Sequence, residues 1–243
     1  MKVAAYIPAR LQSERFPRKL LQDLAGKPVV LHTYENAVKS GLFDETAVIT
    51  DSEEIAQAIR SVGGKVLMSR KPHSTGTDRI AEFANETDAG IIVNIQADEP
   101  FLNRKSLQNL IEVFHSGKDG GIDIASLMFR ITDEKDFLDP NQVKVVTDTR
   151  GFALYFSRAP VPFPRDGVFQ GAWKHIGVYA FRREVLERIA SMPQSALERV
   201  EKLENLRFLE AGFRIKMIET DEINIGIDTP EDLEKARKIL ENG

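Results

Sequence analysis

The chain is predicted to be an α/β protein with a mixed sheet, and three features of the sequence support this prediction. Over residues 1–115, short β-branched runs alternate with amphipathic stretches, which is typical of parallel strands joined by helices. In the second half the strand-like runs follow each other closely, which indicates an antiparallel or mixed portion. Hydrophobic residues make up 42% and charged residues 29% of the 243 positions, as in ordinary globular proteins.

The first half of the chain alternates strand and helix signals. Residues Gly90–Ile95 are apolar on both faces, which predicts a central parallel strand. Asn103 stands where an N-cap would start the next helix, and Gly63-Gly64 marks the end of an earlier one. The predicted strands are Val3–Ile7, Thr46–Thr50, Lys65–Met68 and Gly90–Ile95. The predicted helices are Pro28–Ser40, Glu53–Val62, Thr77–Asn85 and Asn103–His115.

The second half adds closely spaced strands and three helices. Thr229 is placed to cap the last helix, and Pro230 fits its first position. Because no repeat or long linker interrupts the chain, residues 1–243 are predicted to form a single domain with an inserted lobe at about residues 120–200. The predicted strands are Ile124–Arg130, Val143–Asp148, Phe152–Ser157, Ile176–Phe181 and Arg214–Ile218, and the predicted helices are Arg182–Ser191, Ser195–Gly212 and Pro230–Leu240.

The composition excludes several classes of protein. The chain has no cysteine, which rules out disulfides and thiolate chemistry. The net charge of −4 argues against general nucleic-acid binding. No run approaches the roughly 20 apolar residues that cross a bilayer, and the N-terminus is interrupted too soon for a signal peptide. These features predict a cytosolic protein that binds neither nucleic acid nor membrane.

A cationic segment, residues 8–19, follows the first predicted strand. It carries Arg10, Arg15, Arg18 and Lys19 against one acid, Glu14. Because ligands of open α/β sheets bind beyond the carboxyl ends of the strands, this segment lies where a ligand would bind. Arginine can fork two phosphate oxygens and lysine acts as a point charge, so the segment suits a polyphosphate. The structural alternative is a solvated charged loop.

The sequence lacks the usual fingerprints of other nucleotide and hydrolytic enzymes. It has neither G-x-G-x-x-G nor G-x-x-x-x-G-K-[ST], which argues against a dinucleotide dehydrogenase and a P-loop NTPase. It also has no H-E-x-x-H zinc motif and no G-x-S-x-G hydrolase elbow.

Two aspartates follow apolar runs in distant parts of the chain. Asp98 comes just after the run that ends at Ile95, and Asp228 comes after Asn224–Ile227. A carboxylate at the ligand edge of the sheet can hold Mg²⁺ together with substrate phosphates. Two such acids can meet at one metal ion if their strands are neighbours, whereas the structural alternative for each is the start of a helix.

Two further groups have the chemistry to contact a substrate. Backbone N–H groups of Ser74–Thr77, just before a predicted helix, can read a base or sugar edge, with capping by a threonine as the alternative. Arg158, His175 and Tyr179 suit an anionic, polyhydroxylated substrate. A spacing of four places His175 and Tyr179 on one face of a strand, although a single His or Tyr is more often structural.

A series of short motifs runs in order from residue 3 to residue 236. They are I-P-A-R-x-x-S-x-R-x-P-x-K near the start, G-K-P at 26–28, G-T-D-R at 76–79, N-I-Q-A-D-E-P at 94–100, V-K-V-V at 143–146, A-L-Y-F-S-R at 153–158, K-H-I-G-V-Y at 174–179, L-E-N-L-R at 203–207 and I-D-T-P-E-D-L at 227–233. In this combination the chain resembles the 3-deoxy-manno-octulosonate (Kdo) cytidylyltransferases, also called CMP-Kdo synthetases.

The resemblance implies a Rossmann-like nucleotidyltransferase fold with a mixed sheet and an inserted lobe for substrate binding and dimerisation. It also implies a transferase that takes CTP and Kdo, releases pyrophosphate and forms CMP-Kdo for lipopolysaccharide synthesis. The family needs Mg²⁺ and is typically a homodimer, so both properties are expected here.

The resemblance also assigns a role to each candidate residue. Lys19, Asp98 and Asp228 would be catalytic, with Asp98 and Asp228 as the metal ligands. The nucleotide-binding residues would be Pro8, Ala9, Arg10, Arg15, Lys19, Ser74, Thr75, Gly76, Thr77 and Asp98. The residues around the sugar acid would be Gln96, Arg158, His175, Tyr179 and Glu204.

Three residues depart from the family pattern. Family members usually have Gly in place of Arg18 and Ala97, and Gln in place of Asn205. The alternative to the Kdo enzyme is therefore a cytidylyltransferase for 8-amino-3,8-dideoxy-manno-octulosonate (8-amino-Kdo) or another acidic ketose. From a different class of protein, the alternative is a non-catalytic nucleotide-sugar-binding protein. The presence of Lys19 with both aspartates argues against the non-catalytic alternative.

Overall fold

The computed structural model describes residues 1–13, 15–115, 121–221 and 226–242. Three residues named in the sequence analysis, Glu14, Asn224 and Ile225, lie outside the described residues. The strands are β1 (Val3–Ala9), β2 (Asp23–Leu24), β3 (Lys27–Pro28), β4 (Glu45–Thr50), β5 (Lys65–Met68), β6 (Ile91–Asn94), β7 (Ile124–Ile131), β8 (Lys144–Thr147), β9 (Ala153–Ser157), β10 (Ala172–Arg182) and β11 (Ile215–Glu219). The α-helices are α1 (Val29–Lys39), α2 (Glu53–Ser61), α3 (Gly76–Ala81), α4 (Arg104–Glu112), α5 (Glu134–Leu138), α6 (Arg183–Ile189), α7 (Ala196–Glu201), α8 (Glu204–Glu210) and α9 (Pro230–Asn242).

The chain forms two compact units. The first unit contains Met1–Leu107 and Asn224–Gly243, and the second contains Gln108–Ile223. The inserted lobe expected at about residues 120–200 falls inside the second unit, which extends further in both directions. The assignment of all 243 residues to a single domain stays a prediction.

The first unit is built on parallel strands in the order β6-β1-β4-β5. Ala5 of β1 pairs with Thr46 on one side and with Val93 on the other. Every residue of β1 and β6 is buried, as expected for parallel strands that are covered on both faces. The alternating strands and helices predicted for the first half are therefore confirmed.

Capping residues start the helices that follow the ligand edge of this sheet. The carboxamide oxygen of Asn103 accepts a hydrogen bond from Lys105 N at 2.6 Å, as predicted for the start of α4. The hydroxyl of Thr229 accepts from Asp232 N at 3.2 Å, and Asp232 accepts in return from Thr229 N at 3.1 Å. This reciprocal pair fixes the start of α9 and the residues just before it.

The second unit has a mixed sheet, as predicted. Strand β7 pairs with β10 in the antiparallel sense and with β11 in the parallel sense. Strand β8 pairs antiparallel with both β10 and β9. Aromatic rings of Tyr179, Phe181 and Phe208 contact each other at centroid distances of 5.6–6.1 Å and form part of the buried core of this unit.

Two helix predictions are wrong in their extent. The predicted helix Ser195–Gly212 is divided into α7 and α8, because Lys202 adopts a left-handed conformation with φ 56° that ends α7. The helix expected over Thr77–Asn85 ends at Ala81, and a short 3₁₀ turn follows at Ala84–Glu86. Within the described part of the chain, no helix is both long and apolar enough to cross a bilayer.

Two small elements were absent from the sequence prediction. The strands β2 and β3 form a tight hairpin, in which Ala25 and Gly26 both have positive φ. Helix α5 is a single short turn that Asp133 caps by accepting from Lys135 N at 2.8 Å. Both elements are too short for hydrophobic periodicity to reveal them.

Candidate active site

Lys19 lies at the centre of the candidate site. The chain leaves β1 at Ala9 and turns back at a 3₁₀ helix, Lys19–Leu21, where Lys19 N donates to the carbonyl of Phe16. The Lys19 ammonium contacts Asp98 Oδ2 at 2.5 Å and Asp228 Oδ1 at 2.8 Å. The three predicted catalytic residues therefore meet, although they come from three distant parts of the sequence.

Backbone contacts hold the two aspartates next to each other. Ile227 N donates to the carbonyl of Asp98 at 2.9 Å, so the residue before Asp228 is joined directly to the loop that carries Asp98. The Thr33 hydroxyl donates to the carbonyl of Ala97 at 2.9 Å from helix α1. Asp98 and Asp228 are thus positioned by their own main chains as well as by Lys19.

Lys19 and the two aspartates stabilise each other's charged forms. Burial alone would lower the pKa of Lys19, but the charges of Asp98 and Asp228 and the hydrogen bonds that they accept raise it. Burial would raise the pKa of Asp228, but hydrogen bonding and attraction from Lys19, together with Arg15, lower it. Arg15 reaches Asp228 Oδ2 at 2.9 Å. The site therefore keeps a cation between carboxylates at neutral pH.

Asp98 and Asp228 have the donor chemistry that suits Mg²⁺. Carboxylate oxygens are hard ligands, and Mg²⁺ is commonly held by one or two of them plus substrate phosphates. Both carboxylates already converge on one positive charge, the Lys19 ammonium. Among the described residues, no group of three or more His, Cys, Asp or Glu side chains could hold a metal ion.

A cavity of about 220 Å³ opens beside Lys19 in the first unit. It joins the cationic segment, the end of β6 and the start of α3. Ten of the residues predicted from the sequence line this cavity: Pro8, Ala9, Arg10, Lys19, Ser74, Thr75, Gly76, Gln96, Asp98 and Asp228.

The start of α3 is packed tightly against β1. The hydroxyl of Thr75 accepts from Asp78 N at 3.1 Å, so Thr75 is the helix cap that the sequence analysis kept as an alternative. A Cβ on Gly76 would lie 3.1 Å from Pro8 Cγ, which explains a glycine at this close approach. Thr77 is buried and accepts from Asn94 Nδ2 at 3.2 Å, so its hydroxyl serves to join α3 to β6.

Three further residues near the cavity were missed by the sequence reasoning. His73 and Arg79 line the cavity, and Glu82 contacts His73 at 2.8 Å. Arg79 donates to the Ser69 hydroxyl and to Asp51, each at 2.9 Å. Arg79 belongs to the G-T-D-R motif, so the motif could have identified it as a residue of the site. Nothing in the local sequence pattern distinguishes His73 or Glu82 from surface residues.

The residues that depart from the family pattern have defined surroundings. Arg18 has φ 58°, and its guanidinium contacts both carboxylate oxygens of Glu54 on α2, at 3.1 and 2.5 Å. Ala97 is buried next to Asp98. Asn205 is buried at the first turn of α8 in the second unit.

The second unit contains a polar cluster around His175. The rings of His175 and Tyr179 lie 5.3 Å apart, which confirms that they are neighbours, although the pairing of β10 with β7 shifts between Ile176 and Tyr179. Burial of the imidazole, followed by the charge of Lys174, lowers the pKa of His175 to about 3. His175 Nε2 lies 2.9 Å from the Ser126 hydroxyl.

Tyr179 belongs to the same cluster. Burial raises the pKa of its phenol well above the usual value, and the charge of Glu204 raises it further, whereas the amide of Asn205 acts in the opposite direction. His175 and Tyr179 are therefore both neutral across the physiological range, and Glu204 and Asn205 lie near Tyr179.

Arg158 follows β9 in the second unit and is fixed by several contacts. Its backbone N donates to Glu201 Oε2 at 3.0 Å, and its Nε donates to the carbonyl of Glu201 at 2.8 Å. The buried Lys144 ammonium donates to the Arg158 carbonyl at 2.8 Å. The sugar-binding roles of Arg158, His175, Tyr179 and Glu204 in this unit, and of Gln96 in the first, stay predictions.

Comparison with known proteins gives a consistent result. A family model described as cytidylyltransferase matches residues 4–218. A 3-deoxy-manno-octulosonate cytidylyltransferase from Flavobacterium johnsoniae is 53% identical over 243 residues, covering 99% of each chain. The enzyme of the same name from Geobacter sulfurreducens is 47% identical over 251 residues, covering 99% of this chain and 100% of its own.

Solved structures agree with the sequence relatives. CMP:2-keto-3-deoxy-manno-octonic acid synthetase complexed with CTP matches with a TM-score of 0.93 and 38% identity, over 100% of this chain and 99% of that chain. A 4-diphosphocytidyl-2C-methyl-D-erythritol synthase from Anaerococcus prevotii matches with a TM-score of 0.66 and 15% identity, over 99% of this chain and 98% of that chain. The second likeness extends to the fold alone.

Proposed function

This chain belongs to the family of 3-deoxy-manno-octulosonate cytidylyltransferases, and on that premise we propose that it transfers CMP from CTP to the anomeric hydroxyl of Kdo. Pyrophosphate is the second product, and CMP-Kdo is the activated donor for lipopolysaccharide synthesis. The observation that carries the proposal is the meeting of Lys19 with Asp98 and Asp228 at the edge of a cavity lined by residues of the sequence motifs.

The cations of the cationic segment bind the triphosphate. Lys19 and Arg10 line the cavity, and Arg15 lies against Asp228. When CTP enters, the Lys19 ammonium exchanges carboxylate oxygens for phosphate oxygens, which carry more negative charge. The same cations then stabilise the charge that develops on the departing pyrophosphate.

Asp98 and Asp228 would hold Mg²⁺, which supplies charge neutralisation on the phosphates when it is bound. The rest of the catalytic work falls to positioning by the chain. The sugar hydroxyl attacks the α-phosphorus, and a new oxygen–phosphorus bond forms as the hydroxyl proton passes to solvent. The bond from the α-phosphorus to the oxygen that it shares with the β-phosphorus breaks. Holding the two reactants in line is the main contribution that such a site can make.

In the second unit, Arg158, His175, Tyr179 and Glu204 supply the contacts for the acidic sugar. Arg158 supplies a positive charge for the sugar carboxylate. His175 stays neutral because its pKa is about 3, so it exchanges hydrogen bonds with hydroxyl groups and adds no charge. The neutral imidazole of His175 and the neutral phenol of Tyr179 suit the hydroxyl groups of a sugar better than they suit a charged phosphate group.

The enzyme works in the cytoplasm as a homodimer. Self-association is supported by large apolar side chains that the second unit exposes, at Leu154, Phe163, Val168 and Val200. Apolar side chains of this kind mark a protein contact where they form one contiguous patch. Sedimentation of the purified chain tests the homodimer.

Pyrophosphate release tests the reaction itself. The assay combines CTP or UTP with Kdo or 8-amino-Kdo in the presence of Mg²⁺. We expect the highest kcat/KM with CTP and Kdo. A preference for 8-amino-Kdo would move the assignment to that sugar, and no pyrophosphate with any pair would indicate a non-catalytic nucleotide-sugar-binding protein.

A further inference from the structure

A buried acid just after helix α3 has no part in the mechanism described so far. Glu82 has only 7% of its side chain exposed, and both of its carboxylate oxygens accept hydrogen bonds. Oε1 accepts from Arg70 N at 3.0 Å, and Oε2 lies 2.8 Å from His73 Nε2. The ring of His73 is itself 4% exposed.

These contacts hold a loop that leads into the cavity. Arg70 and His73 lie at the two ends of a four-residue stretch, and Ser74, Thr75 and Gly76 follow directly as part of the cavity lining. Helix α3 holds the start of the same loop, because Arg79 donates to the Ser69 hydroxyl at 2.9 Å. The loop is therefore fixed at three points to one helix and its end.

The chemistry of the contact sets the orientation of the histidine ring. Burial would raise the pKa of Glu82, but the hydrogen bonds from His73 and Arg70 N lower it, so the carboxylate is charged at neutral pH. A charged carboxylate only accepts hydrogen bonds, so Nε2 of His73 carries the hydrogen that faces it. The ring of His73 is thereby held in one orientation at the wall of the cavity.

We propose that Glu82 is a positioning residue for nucleotide binding, which acts through His73 and the Arg70 amide to hold Ser74, Thr75 and Gly76 against the nucleotide. This proposal rests on the proposed function, in which the cavity takes CTP. It adds a residue that contacts neither substrate to the set that determines affinity for the nucleotide.

The chain offers a matched control four residues away. Glu86 contacts the guanidinium of the same Arg70 at 2.5 Å, but it does so at the surface, where its side chain is 39% exposed. Glu82 thus holds the backbone of Arg70, whereas Glu86 holds the end of its side chain. Glu86→Gln removes a charge from the same region without releasing the loop.

Steady-state kinetics with CTP and Kdo test the proposal. We expect Glu82→Ala to raise the KM for CTP about tenfold, because two buried hydrogen bonds to a charged group are lost. The KM for Kdo and the kcat should stay within about twofold of the wild type, as should all three constants in Glu86→Gln. His73→Ala should raise the KM for CTP in the same direction.

The double variant Glu82→Ala/His73→Ala provides a second measurement. If both residues act through one contact, its KM for CTP should rise no more than that of the more damaging single variant. Glu82→Gln, which keeps the shape of the side chain, should lie between Glu82→Ala and the wild type.

Three results would overturn the proposal. They are an unchanged KM for CTP in Glu82→Ala, an equal rise in both KM values together with a fall in kcat, and additive effects in the double variant. If Glu82→Ala does not fold, Glu82→Gln and His73→Ala decide the question by the same comparison. A wild-type chain that forms no CMP-Kdo would count against the proposed function instead, and calorimetric titration of CTP into the wild type and Glu82→Gln would still test the role of Glu82.

Discussion

The first unit gathers partly buried charged groups around Lys19, whereas the second unit buries neutral groups around His175. In the first, the Lys19 ammonium contacts two carboxylates, and its pKa is raised by them despite burial. In the second, burial itself lowers the pKa of His175 and raises that of Tyr179, so both stay uncharged. A paired cation can exchange one anionic partner for another, and neutral groups can hydrogen-bond to hydroxyls. The two clusters thus suit a triphosphate and a sugar respectively.

The strongest way to break the charged cluster is to neutralise one acid. Asp98→Asn should lower kcat about 10²- to 10³-fold at saturating Mg²⁺, the usual cost of removing one electrostatic contact to the transition state. The melting temperature should change little, because the asparagine keeps the shape of the side chain. Asp88→Asn is the matched control, since Asp88 pairs with Lys2 at the exposed surface. Near-normal turnover in Asp98→Asn would show that Asp98 is not catalytic.

Removing the cation should have the next largest effect. Lys19→Met should lower kcat/KM for CTP about 10²-fold, because one charge on the triphosphate loses its partner. Lys19 lowers the pKa of Asp228 in the free enzyme, so its loss raises that pKa and should move the acid side of the pH profile of kcat/KM to higher pH. Lys65→Met, which removes a surface ion pair, is the control. An unshifted acid limb would contradict the coupling.

Lys144 is a buried lysine in the second unit and differs from Lys19 in its hydrogen-bond partners, which are backbone carbonyls. Its ammonium donates to the carbonyls of Asp139 and Arg158, and burial lowers its pKa. Lys144→Met should release Arg158 and raise the KM for Kdo about tenfold, with the KM for CTP unchanged. Lys135→Met on the exposed face of α5 is the control. A rise confined to the KM for CTP would show that Lys144 serves the other substrate.

The charge state of His175 should affect stability rather than turnover. The pKa of His175 is about 3 in the folded chain, against 6.5 for an unperturbed histidine, so only the unfolded chain binds this proton between those values. The free energy of unfolding should therefore fall as pH decreases through this window, by at most about 1.4 kcal/mol per pH unit. His175→Gln should lose this part of the acid sensitivity, and His115→Gln, at an exposed position, should keep it. Urea unfolding at several pH values measures both, and equal slopes in wild type and His175→Gln would refute the neutral ring.

The strands and helices could be predicted from the sequence better than the contacts between side chains of distant segments. The strands β1 and β6 are signalled by local apolar runs, and α9 by its Thr229-Pro230 start. The approach of Asp98 to Asp228 depends on a backbone contact between Ile227 and the Asp98 loop, which no local pattern encodes. The contact between Glu82 and His73 could not be predicted either, because it joins the end of a helix to the loop before that helix.

The division of α7 from α8 had a different cause. Lysine is a good helix former, so Lys202 gave no stop signal. Lys202 nevertheless adopts the left-handed conformation, and the next helix, α8, buries Asn205 and Phe208 in the second unit.

The left-handed backbone at Arg18 has a consequence for the entrance of the nucleotide. An arginine in this conformation costs about 1–2 kcal/mol that a glycine would avoid. The two contacts with Glu54 offset part of that cost and tie the cationic segment to α2. A glycine would relieve the strain and free the segment at the same time. Arg18 therefore makes the cationic segment less flexible and ties it to α2 through Glu54. Because salt weakens a surface ion pair of this kind, the rates at which CTP enters and pyrophosphate leaves should depend on salt concentration.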